Sequence, residues 1–432
     1  MKITFVNPPS PGENQPALDI NLAIGYLSAY LKKFGFDDIS LVDYTLLDYA
    51  YLDFQDKTYL SQIPKSDVYC VTGNTAQFHW IKDIGTYVKQ KYPSCITVVG
   101  GHHASCRPQE TLDATSANYV VKGEGEIALV NIVSSLEKEG IVTGEKIRNL
   151  DSLPFPDRTL ADFSKYKRML LGARACHMVT LRGCPFNCYF CDKKSVGRDV
   201  RFRSAENVIS EVDSLISEYN LKAFVIYDDI FTLKKERAIN IAEELGKRNV
   251  KWRAWTRVDT IDREMLVTMK ANGLTSITVG VESGSDEMLK TYNKGTTREQ
   301  NIEFLNLCRE VRVPVRCSLI YGGPYETVET LKETISLVQK TQPDEWNVST
   351  FIPMPGSKIG DNPQDFGIEI LPDPEYLSYY RIGMKSGLGG ITVKISSMTE
   401  EEYVKNRAWF IKALEKVCKR KVIQDTIQNI NL

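Results

Sequence analysis

The chain has 432 residues, 42% hydrophobic and 25% charged, and its 54 Lys and Arg against 55 Asp and Glu leave a formal net charge of −1. That length predicts two or three domains of an ordinary globular class. The charge balance excludes a protein that grips nucleic acid or an anionic membrane by its bulk field, and no apolar run approaches the roughly 18 residues of a membrane span.

Met1-Lys-Ile-Thr-Phe-Val-Asn-Pro-Pro reads as a buried strand entering a turn, without the charged start, apolar run and cleavage site of a signal peptide. Cys70, Cys95, Cys308, Cys317 and Cys418 sit singly in apolar patterns and are expected to be buried small hydrophobes, as suits a reducing, cytoplasmic setting. Across the first third, strands are predicted at 2–6, 39–42, 67–72, 96–101 and 119–122, with helices at 21–34, 80–92 and 126–139. Such alternation predicts an open parallel sheet covered on both faces, with ligands at the carboxyl ends of its strands. Those ends are 7–19, 73–79, 100–106 and 123–126. Residues 142–158 lose periodicity, and Leu153-Pro-Phe-Pro-Asp-Arg158 predicts a stiff extended connector.

Six further strands are predicted at 177–181, 223–227, 252–256, 276–281, 314–320 and 345–351. Helices are predicted at 205–219, 235–248, 263–272, 285–291, 298–311 and 327–341. Six βα units are too few for an eight-stranded barrel, and their chemistry belongs at the strands' carboxyl ends. There the sequence places Asp228-Asp229, Arg257, Glu282-Ser283 and Gly322-Gly323-Pro324. Carboxylates buried at strand ends are costly unless they bind something; for each residue taken singly, a structural salt bridge or cap is the competing reading. Ser204 reads as an N-cap, with Arg201 or Arg203 either structural or facing a cofactor. Residues 360–390 are irregular, and 399–421 read as a helix with Trp409, Phe410 and Leu414 on one face, packing over the barrel mouth.

After the strand predicted at 177–181 comes Cys184-Pro-Phe-Asn-Cys188-Tyr-Phe-Cys191, a C-x3-C-x2-C spacing. Three thiolates in eight residues can hold three corners of an iron–sulfur cube and leave one iron open. A zinc knuckle, with His177 as the local fourth ligand, and a disulfide staple are the alternatives.

The spacing, with the aromatic Phe190 before the third cysteine, resembles that of the radical S-adenosylmethionine (SAM) enzymes. Val98-Val-Gly-Gly-His-His-Ala-Ser105, Pro108-Gln-Glu-Thr-Leu112, Val121-Lys-Gly-Glu-Gly-Glu126 and the Leu-Pro-x-Pro-Asp-Arg connector resemble the subgroup with a cobalamin-binding domain ahead of the radical domain (class B methyltransferase-like). The resemblance implies an α/β fold in four parts. A Rossmann-like cobalamin-binding-type domain spans 1–141, a linker 142–172, a partial (β/α)6 TIM barrel 173–356, and a small C-terminal, substrate-side helical segment 357–432. It implies a [4Fe–4S] cluster on Cys184, Cys188 and Cys191, and SAM contacts from Phe190, Asp229, Arg257, Glu282, Ser283, Gly322, Gly323 and Pro324. Cobalamin contacts are implied for Asn74, Thr75, Gly100, Gly101, His102, His103, Ser105, Gly123 and Glu124, although the D-x-H-x-x-G axial-histidine motif is absent. Tyr379, Tyr380, Arg381 and Lys385 are substrate-wall candidates. The implied activity begins with cleavage of SAM to a 5′-deoxyadenosyl radical and leads to cobalamin-dependent methyl transfer to an unactivated carbon or phosphorus of a small biosynthetic intermediate. The partners implied are an electron donor such as flavodoxin or ferredoxin and a small-molecule substrate, with no nucleic acid. The alternative is a cyclase, ring contraction, dehydratase or other rearrangement without methyl transfer, with or without cobalamin, the N-terminal domain then being either cofactor-binding or vestigial. A non-catalytic iron–sulfur or cobalamin sensor is a third reading, and a sensor has no need of the residues at the barrel's strand ends.

Overall fold

The structure is a computed structural model describing residues 1–9, 17–46, 57–192, 195, 197–372 and 392–419. Tyr379, Tyr380, Arg381 and Lys385 lie outside the described residues.

The first sheet is wholly parallel. Its strands are β1 (Ile3–Asn7), β2 (Ile39–Asp43), β3 (Val68–Thr72), β4 (Ile96–Gly100), β5 (Tyr119–Lys122) and β6 (Gly140–Thr143), in the order β2-β1-β3-β4-β5-β6. All five residues of β1 are buried, as a strand covered on both faces requires. Helices α1 (Leu22–Lys33) and α5 (Glu126–Val133) cover one face, and α2 (Phe78–Lys91) packs on the other; α3 (His102–Cys106) and α4 (Pro108–Thr115) lead from β4 to β5. Asn21 caps α1 by accepting from the amides of Ala23 and Ile24. Two expectations are corrected. The last helix stops at Val133 rather than running to Glu139, because Ser135 turns left-handed at φ +58°. The chain then returns as β6, so the sheet continues across the division expected after residue 141.

The second sheet has the order β15-β14-β13-β12-β11-β8-β7. Strands β8 (Ala173–Met178), β11 (Ala223–Ile226), β12 (Lys251–Thr256), β13 (Leu274–Glu282), β14 (Val315–Tyr321) and β15 (Glu345–Thr350) are parallel, and β7 (Met169–Leu170) is an antiparallel edge. This is the expected partial barrel of six parallel strands. Helices α6 (Ala205–Tyr219), α7 (Lys235–Lys247), α8 (Arg263–Ala271), α9 (Asp286–Thr291), α10 (Arg298–Val311) and α11 (Val328–Thr341) follow its strands and pack outside around a core holding Trp252 and Trp346. The first barrel strand starts and ends earlier than expected. The buried Asp228 carboxylate takes the amides of Thr180 (2.6 Å) and Leu181 (3.1 Å), drawing the chain off the ladder. Leu181–Arg182 (β9) then pairs with Arg201–Phe202 (β10) instead.

The connector is bolted on both sides. Asp157 accepts from Ser28 and Lys32 of α1, and Arg158 reaches the His177 carbonyl and Glu211 of α6. Past the barrel come α12 (Lys358–Asp361), the antiparallel pair β16 (Ile368–Ile370) and β17 (Val393–Ile395), and α13 (Glu400–Val417). Tyr403, Phe410 and Leu414 of α13 face inward, whereas Trp409 is 37% exposed, one residue and so about 100° round the helix from Phe410. This helix lies against α11, its Tyr403 carbonyl accepting from the Tyr321 hydroxyl, and the Cys418 carbonyl beyond its end accepts from Trp346 Nε1. It therefore closes the flank of the barrel at β14 and β15 rather than its mouth. The five cysteines expected inside are all buried.

Candidate active site between the two sheets

The cysteine loop leaves β9 through Gly183, at φ +95°, where a Cβ would run into the Asp199 carbonyl. Cys184 and Cys188 are buried and Cys191 half-buried. The loop is pinned by the Cys184 amide on the Gly197 carbonyl (3.2 Å), the Tyr189 amide on the Tyr292 carbonyl (2.8 Å) and the Ile359 amide on the Tyr189 carbonyl (3.0 Å). Arg257, at the end of β12, lies flat over the Phe186 ring, 3.6 Å from its centre, and Nη1 sits 3.6 Å from Cys188 Sγ. Its remaining donors go to Asp259 (2.9 and 3.0 Å) and the Lys294 carbonyl (2.7 Å). The Cys188 contact sets a fixed cation beside one of the three thiols. The donor set fits an iron–sulfur cluster: three thiols on one pinned loop, two shielded from water, one beside a cation.

Next to this loop, β13 and β14 bring their carboxyl ends together. The register shifts between Gly280 and Glu282, and Glu282 takes φ +63°, a strained conformation for a glutamate. Lys294 Nζ donates to Glu282 Oε1 at 2.6 Å. Phe190 meets Tyr292 edge-on with centroids 5.5 Å apart. Ser283 is buried, its hydroxyl engaged with Thr334 and the Ser285 amide, so it organises the turn. Gly322, at φ +80°, lies under the Tyr403 ring, and Gly323 faces the buried Tyr292 hydroxyl; a Cβ at either glycine would collide. Pro324 is buried beside them. The sequence reading omitted Glu326 as a site residue. It is fully buried with its carboxylate on the Gly322 amide, and burial pushes its carboxyl up to about 8. The signal was a carboxylate two residues after Gly-Gly-Pro at a strand end.

A cavity of about 400 Å³ lies where the carboxyl ends of the two sheets face each other. Gly100, Gly101, His102, Gly123 and Glu124 line one side; Leu181, Arg182, Tyr227 and Asp229 line the other. Asp229 thus opens on this cavity. Asn74, Thr75, His103 and Ser105 are not on its wall but build the loops behind it. The Asn74 amide donates to Gln77, Thr75 bonds the ring of His103, and Ser105 ties the Gly101 carbonyl to the Gly123 amide. Burial holds His103 down at about 4, with help from Arg107, so its ring is neutral near neutral pH. Gly101, at φ +97°, passes so close to the end of β3 that a Cβ would stand 2.6 Å from the Gly73 carbonyl oxygen.

Charge crosses between the sheets by pairing Glu124 and His102, expected to contact cobalamin, with residues that the sequence left unassigned or undecided. Arg182 pairs with Glu126 and Glu124, and Arg201 with Glu124. Burial alone would raise the Glu124 carboxyl; Arg201, Arg182 and the Ile147 amide outweigh it and hold it low. His102 Nδ1 lies 2.6 Å from Ser195 Oγ and 3.6 Å from Asp192. Asp192, directly after the third cysteine, is held at about 2 because hydrogen bonds from His102, Ser195 and Cys106 overcome its burial. His177, the sequence's candidate zinc ligand, is committed to Asp19 at 3.0 Å. No periodicity reports such pairings, because their partners lie on different sheets.

Residues 19–133 match the B12 binding domain, and residues 178–338 match the Radical SAM superfamily. The chain is 29% identical over 385 residues to the anaerobic magnesium-protoporphyrin IX monomethyl ester cyclase of Cereibacter sphaeroides, covering 82% of this chain but 62% of that protein's length. It is 29% identical over 384 residues to an uncharacterized methyltransferase of Pyrococcus horikoshii, covering 83% of this chain and 82% of the relative. Among solved structures, the radical SAM methyltransferase TsrM of Kitasatospora setae, with cobalamin and a [4Fe–4S] cluster bound, superposes with a TM-score of 0.71 at 17% identity, covering 100% of this chain and 92% of that one. Two domain matches, in the order in which the two sheets occur, place the chain in the radical SAM superfamily, among its members with an N-terminal B12-binding domain.

Proposed function

We propose that this chain transfers a methyl group to an unactivated carbon or phosphorus of a small biosynthetic intermediate, using a [4Fe–4S] cluster, SAM and cobalamin. The observation that carries the reading is the cavity bounded by the carboxyl-end loops of both sheets, beside three thiols on one pinned loop. Cys184, Cys188 and Cys191 would hold the cluster. Phe190, Glu282 and Gly322–Pro324 would line the SAM side, and Gly100, Gly101 and Gly123 would let backbone approach a flat macrocycle. When bound, the cluster and SAM supply a 5′-deoxyadenosyl radical, and cobalamin supplies a transferable methyl group.

The chain's own contribution is positioning, charge and shielding from water. Arg257 sets a cation beside Cys188, and Gly183 gives the loop its entry turn. The Glu282–Lys294 pair sets a carboxyl group beside the cysteine loop, where it can accept hydrogen bonds from a hydroxyl or ammonium group. Arg182 and Arg201, gripping Glu124 and Glu126, hold the two sheets at a fixed separation, so cofactors on either side keep their spacing. We take the electron donor to be a small low-potential carrier such as flavodoxin or ferredoxin, acting in the cytoplasm.

Anaerobic reconstitution of the full chain is expected to give a broad visible cluster absorbance and 5′-deoxyadenosine from SAM under reducing conditions, both lost in Cys188→Ala. A Cys188→Ala protein that keeps both refutes the assignment. The similarity to a cyclase keeps one other outcome in view. S-adenosylhomocysteine accumulating with 5′-deoxyadenosine and methylated product marks methyl transfer; 5′-deoxyadenosine alone marks rearrangement.

A further inference from the structure

The barrel sheet has two chemically opposite faces. Along β12 to β15, Trp252, Ile277, Val279, Cys317, Leu319 and Trp346 enter the core beneath the helices. Strand alternation turns their neighbours the other way, and along β14 and β15 those neighbours are polar apart from Ile320. One row across the sheet reads Trp255, Thr278, Arg316, Glu345, in register from strand to strand. The row above it reads Gly280, Ser318, Asn347. Arg316 reaches Glu345 through Nε (2.8 Å) and Nη2 (2.7 Å), and Ser318 bonds Asn347 at 3.0 Å. The Arg316 and Glu345 side chains keep 21% and 22% of their exposure, and Ser318 and Asn347 are half-buried, so solvent reaches this face.

The same face also carries an aromatic pair flanked by cations, with Tyr227 39% exposed and Trp255 half-buried. Tyr227 and Trp255 stack at 4.4 Å, the guanidinium of Arg168 lies 5.6 Å from the Tyr227 ring centre, and that of Arg253 lies 5.0 Å from Trp255. Arg168 also donates to the Tyr227 hydroxyl at 3.1 Å, so its cation stands at the polar end of that ring. A flat apolar molecule laid over Arg316, Glu345 and Asn347 would strip water from an ion pair and an amide without replacing their hydrogen bonds, a loss of affinity rather than a gain. A ligand with oxyanion and hydroxyl groups replaces that water with bonds to the same side chains.

We infer that the substrate, under the function proposed above, is a small hydrophilic molecule bearing an oxyanion (phosphate, phosphonate or carboxylate) seated against Arg316, Ser318 and Asn347, and that the barrel rejects apolar polycycles. Tryptophan fluorescence tests this without knowing the substrate. Trp80, Trp252 and Trp346 are buried, so in a Trp409→Phe background Trp255 is the solvent-accessible reporter. Iodide is expected to quench it at least about five-fold more effectively than caesium at equal ionic strength, because the guanidiniums concentrate anions, and inorganic pyrophosphate is expected to protect it. Arg316→Gln should erase the anion preference. Ser318→Val with Asn347→Leu, which replaces both partners of one hydrogen bond and so spares the fold, should lose pyrophosphate protection and gain binding of pyrene. Equal quenching by the two ions, or pyrene binding tighter in the parent than in the double variant, overturns the inference. Cluster absorbance and 5′-deoxyadenosine formation in the same preparations separate the outcomes: if they are missing, the proposed function fails, and if they persist without anion preference, only the substrate class fails.

Discussion

Gly101→Ala probes the cavity floor directly. Gly101 joins β4 to α3 at φ +97°, ψ −166°, a region that residues with a Cβ avoid. Forcing alanine there costs about 1–3 kcal/mol on conformation alone. The new Cβ would also stand 2.6 Å from the Gly73 carbonyl oxygen, 2.7 Å from Thr72 Oγ1 and 2.8 Å from the Gly73 amide nitrogen. Two of these are backbone atoms at the end of β3 and cannot rotate away, so the ends of β3 and β4 must part. Thr72, Gly100 and Gly101 all line the cavity, so the wall moves with them. Gly35→Ala is the matched control: its φ is +86°, but nothing lies within 4 Å of the Cβ position. It should cost a similar conformational penalty in stability and leave the cavity intact. Spectrophotometric titration with hydroxocobalamin is expected to show at least about 30-fold weaker binding for Gly101→Ala, corresponding to about 2 kcal/mol, and parental binding for Gly35→Ala. A folded Gly101→Ala protein that binds cobalamin like the parent, or a Gly35→Ala protein equally impaired, refutes the reasoning.

Other outcomes follow from charge. Arg257→Leu removes the cation beside Cys188 and should lower the cluster's reduction potential by roughly 30–60 mV, since the extra electron loses a stabilising positive charge; redox titration followed by electron paramagnetic resonance reads it, and an unchanged potential contradicts the placement. Glu211 is buried between Arg158 and Arg203, so Glu211→Gln strands two buried guanidiniums and should cost about 3–5 kcal/mol in denaturant unfolding. Glu326 has a folded carboxyl raised to about 8 from 4.5. The folded chain therefore holds a proton that the unfolded chain releases, and stability falls as pH rises from 4.5 towards 8, by up to about 1.4 kcal/mol per pH unit, then levels. Glu326→Gln mimics the protonated form and should flatten that slope; an unchanged slope shows that Glu326 is ionised in the fold.

The sequence by itself determined the periodic parts. Short apolar runs between amphipathic helices marked both parallel sheets, most plainly the first, whose strand β1 is covered on both faces. The three cysteines, Gly101 and the Gly322–Gly323 pair were legible because their spacing or backbone freedom is a local property. Element ends were less so: Asp228 drawing Thr180 and Leu181 off the ladder is a contact across 48 residues, which no window of the sequence contains. Trp409 was misplaced because an apolar side chain on a helix does not announce which side is covered. Only the tertiary structure decided that Asp229 opens on the inter-sheet cavity, that Ser283 serves its own turn, and that His102, Ser195 and Asp192 link the cysteine loop to the first sheet. It also decided that Arg182 and Arg201 clamp Glu124 and Glu126. These are pairings between groups far apart in the chain, and their energies depend on distance and burial, which exist only once both sheets have closed on one another.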